Sequence, residues 1–395
     1  MAGADALDAR ALYGRALALL ERLVAFDTTS SLSNLELIAW VETYLAEHGV
    51  ASRRIASDDG RKANLLATIG PSVPGGVVLS GHTDVVPVEG QPWTSDPFAL
   101  VRRGERLFGR GTCDMKGFLA LSLAAVPDIL AAGVKRPAHL AFSYDEEIGC
   151  FGAPRMIEVI ARELPTPALA VVGEPTMMEA VQGHKSIDAW RVTVTGHEAH
   201  SAQTHLGVSA NMEAIPLLAF LADKATALEA HPPAGSPFHP PHATLTIGRI
   251  GGGTAGNILA REHRFLFDLR CPPTLEPQAE MADFFALCER TDAALKTRFP
   301  ECGVRVEHLS HVPGFRPETD GVAEAFARRL TGDNGPARVV SYASEAGQFQ
   351  QGGFSTILCG PGSIDQAHQP DEYVDVVQME RGAAFMRRLA EALSA

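Results

Sequence analysis

Five side chains able to bind a metal stand where the chain turns. His82 follows the apolar run VVLS, Glu147 closes YDEE after HLAFS, and Glu174 lies in GEP after ALAVV. Asp114 sits within GRGTCDMKG, ahead of a helical run over residues 118–130, and His368 lies far downstream in GPGSIDQAHQPDEY. Neutral imidazoles and carboxylates suit Zn²⁺ or its Co²⁺ and Mn²⁺ relatives, and a catalytic zinc keeps one position open for water. Asp114, among small turn-forming residues, either aims its carboxylate outward to bridge two ions or caps the helix that follows. Each of the others has its own alternative, as a satisfied core histidine or a solvated acid. Their joint occurrence at successive strand ends favours a shared metal.

The elements that must position them follow from periodicity. Helices are expected over residues 9–25 and 34–48, and strands over 52–55, 64–69, 77–80, 139–143 and 168–172, with a hairpin near 100–109. Short apolar strands read as buried in a mixed or parallel sheet, and ligands in such sheets bind where loops leave the carboxyl ends. After Val181 the pattern changes. A strand at 187–196, a helix over 208–228, strands in TLTIGRIGGG and EHRFLFDLRC, a helix over 277–298 and a strand at 304–308 make βαββαβ, the ferredoxin-like arrangement. The expected division is residues 1–181 and 311–395 for a catalytic domain and 182–310 for an inserted one. The Pro-rich loop HPPAGSPFHPPH at 231–242 lacks regular ligand spacing and reads as surface.

Composition excludes other classes. In 395 residues with a net charge of −13, no window clusters Lys and Arg as phosphate binding requires, so no nucleic-acid partner is expected. Cationic or small zwitterionic ligands fit better. No stretch approaches the roughly 18 apolar residues of a membrane span, and the charged N-terminal residues read as an amphipathic helix rather than a targeting segment. The six cysteines include no CxxC pair, so they read as reduced thiols of a cytoplasmic protein. Cys113, beside Asp114, reads as packing. Gly251-Gly252-Gly253 leads into a strand with no Lys-Ser/Thr after it, unlike a phosphate loop.

GHTDVVP, GRGTCDMKG, YDEE, GEPT and GSIDQAHQPDEY, in this order over nearly the whole chain, resemble the M20 family of co-catalytic zinc metallopeptidases. The wording GTCDMKGF, SEAGQFQ and GPGSIDQAHQPDEY is closest to its N-acetylornithine deacetylase branch. The resemblance implies an α/β fold: a zinc-peptidase-like three-layer αβα catalytic domain with an inserted ferredoxin-like lid and dimerisation domain. It implies a pair of zinc ions, one bound by His82 and Glu174, the other by Glu147 and His368, with Asp114 bridging and the peptide after Asp114 cis. Asp84 would orient the His82 imidazole, and Glu146 would be the general base.

In the inserted domain, His200 in GHEAHSA matches a histidine that crosses a homodimer to help hold the oxyanion. Asn257 and Arg270 match substrate contacts, although Arg270 is equally suited to a structural salt bridge. Glu345 would meet a substrate amine or be a helix first-turn acid. The implied activity is amide hydrolysis on a small N-acyl amino acid, N²-acetyl-L-ornithine first. A desuccinylase for succinyl-diaminopimelate, a broad aminoacylase and a non-catalytic binding protein on the same fold are the alternatives.

Overall fold

The computed structural model describes residues 8–395. The described residues divide into two compact units, one of residues 8–183, 317–338 and 344–395, the other of 184–316 and 339–343. The first unit opens with helices α1 (Ala9–Val24) and α2 (Leu35–Glu47), and the α1 amino terminus is capped by the Asp8 carboxylate, which accepts from Arg10 N. Strands β1 (Ser52–Ala56), β2 (Ala63–Ile69) and β3 (Val77–His82) follow, then a hairpin of β4 (Val101–Arg103) and β5 (Arg106–Phe108). Helices α3 (Lys116–Ala124) and α4 (Val126–Ala131) come next, then β6 (Ala138–Ser143), α5 (Ala153–Glu163), β7 (Leu169–Pro175) and β8 (Val181–His184). One continuous helix is expected over 118–130, but Pro127, which offers no N–H to the preceding turn, restarts it as α4.

Within this unit the strand order is β1-β2-β6-β3-β7-β14, where β14 is Thr356–Gly360. Strands β6, β3, β7 and β14 run parallel, while β1 and β2 are antiparallel to their neighbours. Every residue of β3, β6, β7 and β14 is buried, because both faces are covered. Leu65, Leu79, Leu140, Phe142 and Val171 join one core with α1, α2, α3 and α4. On α5, Met156, Ile157 and Ile160 are buried outside that core, and α5 packs on β2 and β6. Helices on both sides of a mostly parallel sheet make the three-layer α/β fold.

The second unit holds β9 (Ile187–Thr195), α6 (Ala210–Ala230), β10 (Thr244–Gly252), β11 (Glu262–Arg270), α7 (Pro277–Glu280), α8 (Ala282–Arg298) and β12 (Gly303–Val312). Its antiparallel sheet has the order β10-β11-β9-β12. Trp190, Val192, Phe265 and Phe267 from one sheet face join Leu217, Leu221 and Phe284 from the helices in a separate core. That order is the one βαββαβ closes into. Strand β12 runs on to Val312, paired to Ile187, so the chain leaves this unit later than an end at 310 would place it. The first unit is completed by α9 (Val322–Thr331), α10 (Ala346–Gln351), β14, β15 (Tyr373–Asp375) and α11 (Val376–Ser394), with β13 (Arg338–Val340) between α9 and α10.

Close packing of α3 on β7 underlies the site. A Cβ on Gly173, next to Glu174, would lie 2.0 Å from Phe118 Cγ. Gly173→Ala is therefore expected to lower unfolding stability in urea by about 1–3 kcal/mol; an unchanged midpoint would contradict that packing.

Candidate metal centre

Sheet topology delivers the acids to one edge. His82 ends β3 and pairs with Ser143, the end of β6, while Glu174 lies near the end of β7 on the other side of β3. The chain leaving β6 turns through Asp145, at φ 57°, and presents Glu146 and Glu147 beside His82. Lys62 pairs with the Asp145 carboxylate and anchors that turn. Asp114 comes from the loop before α3, and His368 from the loop after β14.

The five expected ligands belong to this edge. His82 Nε2 lies 3.0 Å from Asp114 Oδ1, and His368 Nε2 lies 3.4 Å from Asp114 Oδ2 and 2.8 Å from Glu147 Oε2. The two oxygens of Asp114 thus face different imidazoles, as a bridging carboxylate requires. The ligand atoms of His82, Asp114 and Glu147 all lie within 4.8 Å of one another. His82, Asp114 and Glu174 are buried, whereas the His368 side chain is half exposed. His82 Nδ1–H donates to the Asp84 carbonyl at 2.9 Å, which leaves the Nε2 lone pair facing Asp114. The Asp114–Met115 peptide is cis.

Electrostatics show what the cluster lacks. Burial, followed by neighbouring acids, pushes Glu174 well above the ordinary carboxyl range, and burial with Glu147 and Asp114 nearby does the same to Glu146. Burial and Asp114 raise Glu147 to about 7. Asp114 is buried too, yet hydrogen bonds from His368 and His82 hold it below the usual range. His368 is raised to about 10 by its bonds to Asp114 and Glu147. Glu147 Oε1 and Glu174 Oε1 are buried with no hydrogen-bond partner among the described residues. Buried carboxylates are stable when paired or metal-bound, so divalent cations fit this donor set.

Other residues play parts that differ from, or go beyond, the expected ones. The Asp84 carboxylate is 3.7 Å from His82 Nδ1; it accepts instead from Ser30 Oγ at 2.7 Å and from the backbone amides of Glu146 and Glu147 at 3.1 and 3.3 Å. It holds the acidic turn, while its carbonyl orients the imidazole. Glu146 Oε1 accepts from the Cys150 thiol at 3.3 Å. Glu345 stands at the start of α10, buried, with Oε2 accepting from Ser80 Oγ at 3.1 Å, and burial raises its pKa.

Sequence reasoning missed Glu372. Its carboxylate, buried with Arg110 at 2.7 Å, accepts from the amides of Gly111, Cys113 and Asp114 at 3.0, 2.9 and 3.1 Å. It therefore clamps the loop that carries Asp114. The available signal was an acid four residues after His368, in a segment otherwise read for its histidine alone.

In the second unit, His200 and Asn257 lie on adjoining loops. Ser201 N donates to the Asn257 carbonyl at 3.0 Å, and His200 bridges to Ile258. His200 Nδ1 accepts from Ala202 N at 3.0 Å, and both residues are exposed. Arg270 is at the opposite end of β11, its Nε donating to Asp268 Oδ2 at 3.2 Å. That is the salt-bridge alternative, and the unit by itself does not bring Arg270 to His200 and Asn257.

Comparison with known proteins agrees with this geometry. The profile of peptidase family M20/M25/M40 matches residues 78–392. The chain is 35% identical over 372 residues to the acetylornithine deacetylase of Proteus mirabilis (strain HI4320), covering 93% of this chain and 92% of that one. It is 34% identical over 384 residues to the acetylornithine deacetylase of Yersinia pestis, covering 95% of each. An M20 family metallo-carboxypeptidase from Sulfolobus solfataricus superimposes with a TM-score of 0.73 at 16% identity, over 96% of this chain and 99% of that one.

Removing the Glu372 carboxylate strands a buried Arg110 and frees three amides. Glu372→Ala is expected to cost about 3–5 kcal/mol in chemical denaturation and to weaken metal uptake in a calorimetric titration. Wild-type stability with wild-type uptake would show that the loop holds Asp114 without it.

Proposed function

The chain belongs to peptidase family M20/M25/M40, a family of hydrolases, and on that premise we propose that it removes the acetyl group from N²-acetyl-L-ornithine to give L-ornithine and acetate, a step in arginine biosynthesis. The relatives named acetylornithine deacetylase, matched over more than nine-tenths of this chain, support that substrate. The observation that carries the chemistry is Asp114, each of whose oxygens faces a separate imidazole among buried acids that lack counter-charges.

His82 and Glu174 would hold one divalent ion, Glu147 and His368 the other, and Asp114 both. Zn²⁺ is the first choice, with Co²⁺ or Mn²⁺ as substitutes. When bound, such a pair polarises the amide carbonyl and lowers the pKa of a water enough to attack it near neutral pH. Glu146, adjacent to the ligands but not needed as one, takes the proton from that water and returns it to the leaving amine. The Cys150 thiol keeps one Glu146 oxygen in place during both transfers. The net charge of −13 favours a cationic ligand such as an ornithine side chain, and Glu345 would be the acid that meets its amine.

The inserted unit would act as a lid and as the contact between two copies. Met212 and Ile215 on α6 and Ile250 on the edge strand β10 are large apolar side chains left exposed, a surface that a second copy would cover. From that position a partner copy's lid histidine, the counterpart of His200, would help hold the oxyanion, and Asn257 and Arg270 would contact substrate. All six cysteines are free thiols, which suits the cytoplasm. No helix among the described residues is long and apolar enough to cross a membrane.

A hydrolysis screen of N-acetylornithine, N-acetylmethionine, N-succinyl-diaminopimelate and a dipeptide is expected to give the highest kcat/KM for N-acetylornithine. Preference for the succinyl compound would replace the substrate and keep the chemistry. Glu146→Ala is expected to bind metal as the wild type does while kcat falls by about 100-fold or more. Retention of a tenth of wild-type turnover would remove Glu146 from the role of base.

A further inference from the structure

A second set of metal-ligating side chains lies in the inserted unit. On β12, His308 stands opposite Trp190 of β9 and His311 opposite Asp188, but the register skips Leu309. Residues three apart on a regular strand point to opposite faces; the extra residue of this bulge puts both imidazoles on one face. Asp188 and Trp190, two apart on β9, share that face.

Asp188 is fully buried, with Oδ1 3.0 Å from His308 Nε2 and 2.8 Å from His311 Nδ1. Its Oδ2 is buried without a hydrogen-bond partner among the described residues. His308 lies flat against Trp190, ring centroids 4.9 Å apart and planes 12° apart, so its imidazole is held in place before any ion arrives. The three residues offer ligand atoms all within 4.8 Å of one another.

We propose that Asp188, His308 and His311 form a binding site for a divalent transition-metal ion, Zn²⁺ first, distinct in its residues from the centre around Asp114. Two imidazole nitrogens and one carboxylate are a borderline-soft donor set that selects Zn²⁺ and its neighbours over Mg²⁺ or Ca²⁺. Both histidines are partly exposed, which gives an ion an entry path and leaves room for water as a further ligand. A bound cation compensates the buried Asp188 charge and displaces the protons shared between that carboxylate and the imidazoles. It also ties the edge strand β12 to β9 across the bulge. The competing arrangement is a buried aspartate satisfied by two imidazole N–H donors, with no ion.

Zinc titration separates the two. Metal-stripped full-length wild type, His308→Ala/His311→Ala and Asp188→Asn are titrated with Zn²⁺ against a chromophoric chelator. Circular dichroism melts without zinc check that each variant is folded. Both variants are expected to take up one ion fewer per chain than the wild type, whatever number the Asp114 centre holds. Should the double variant not fold, His311→Gln, at a half-exposed position, is expected to show the same loss. Equal zinc uptake by the wild type and the folded variants would overturn the proposal.

Discussion

Four carboxylates gathered at one edge of the sheet, with the imidazoles of His82 and His368 among them, set the terms for the rest of this molecule. Asp114, Glu146, Glu147 and Glu174 meet His82 and His368 where each further negative charge raises the cost of the others. Burying unpaired charge costs several kcal/mol per group, so such a cluster either takes up protons or takes up cations. The orphaned oxygens of Glu147 and Glu174 favour cations, because a protonated carboxyl would want an acceptor of its own nearby.

A cluster of that kind holds its shape only on a stiff support. Parallel strands β6, β3 and β7, buried on both faces, carry the acidic turn, His82 and Glu174 side by side. The segments that are not strand are held by ionic clamps instead. Asp84 collects the amides of Glu146 and Glu147, and Glu372, neutralised by Arg110, collects those of the Asp114 loop. Asp114, Glu146 and Glu147 are thus backed by other acids, Glu372 and Asp84, that accept from backbone N–H groups.

Much of this was legible in the residue order, for a physical reason. Singly, a His or an acid just past a run such as VVLS or ALAVV reads as readily as a satisfied core histidine or a solvated acid, and it is the recurrence at successive strand ends that made His82, Glu147 and Glu174 stand out. The change of periodicity after Val181 likewise marked the inserted unit. Glu372 did not stand out, since its partners are backbone amides 258 to 261 residues away, which leave no trace in spacing. The bulge at Leu309 was equally hidden: without it His308 and His311 read as facing apart. Arg270 could be read two ways, and its bond to Asp268 fits the structural one within a single unit.

The central claim is that Asp114 is shared by two ions, and anomalous diffraction from zinc-loaded crystals tests it most directly. Two peaks about 3.5–4 Å apart, one on each side of the Asp114 carboxylate, are predicted. A single peak there, or none, would contradict a paired-metal centre and leave the buried acids to be explained by protonation.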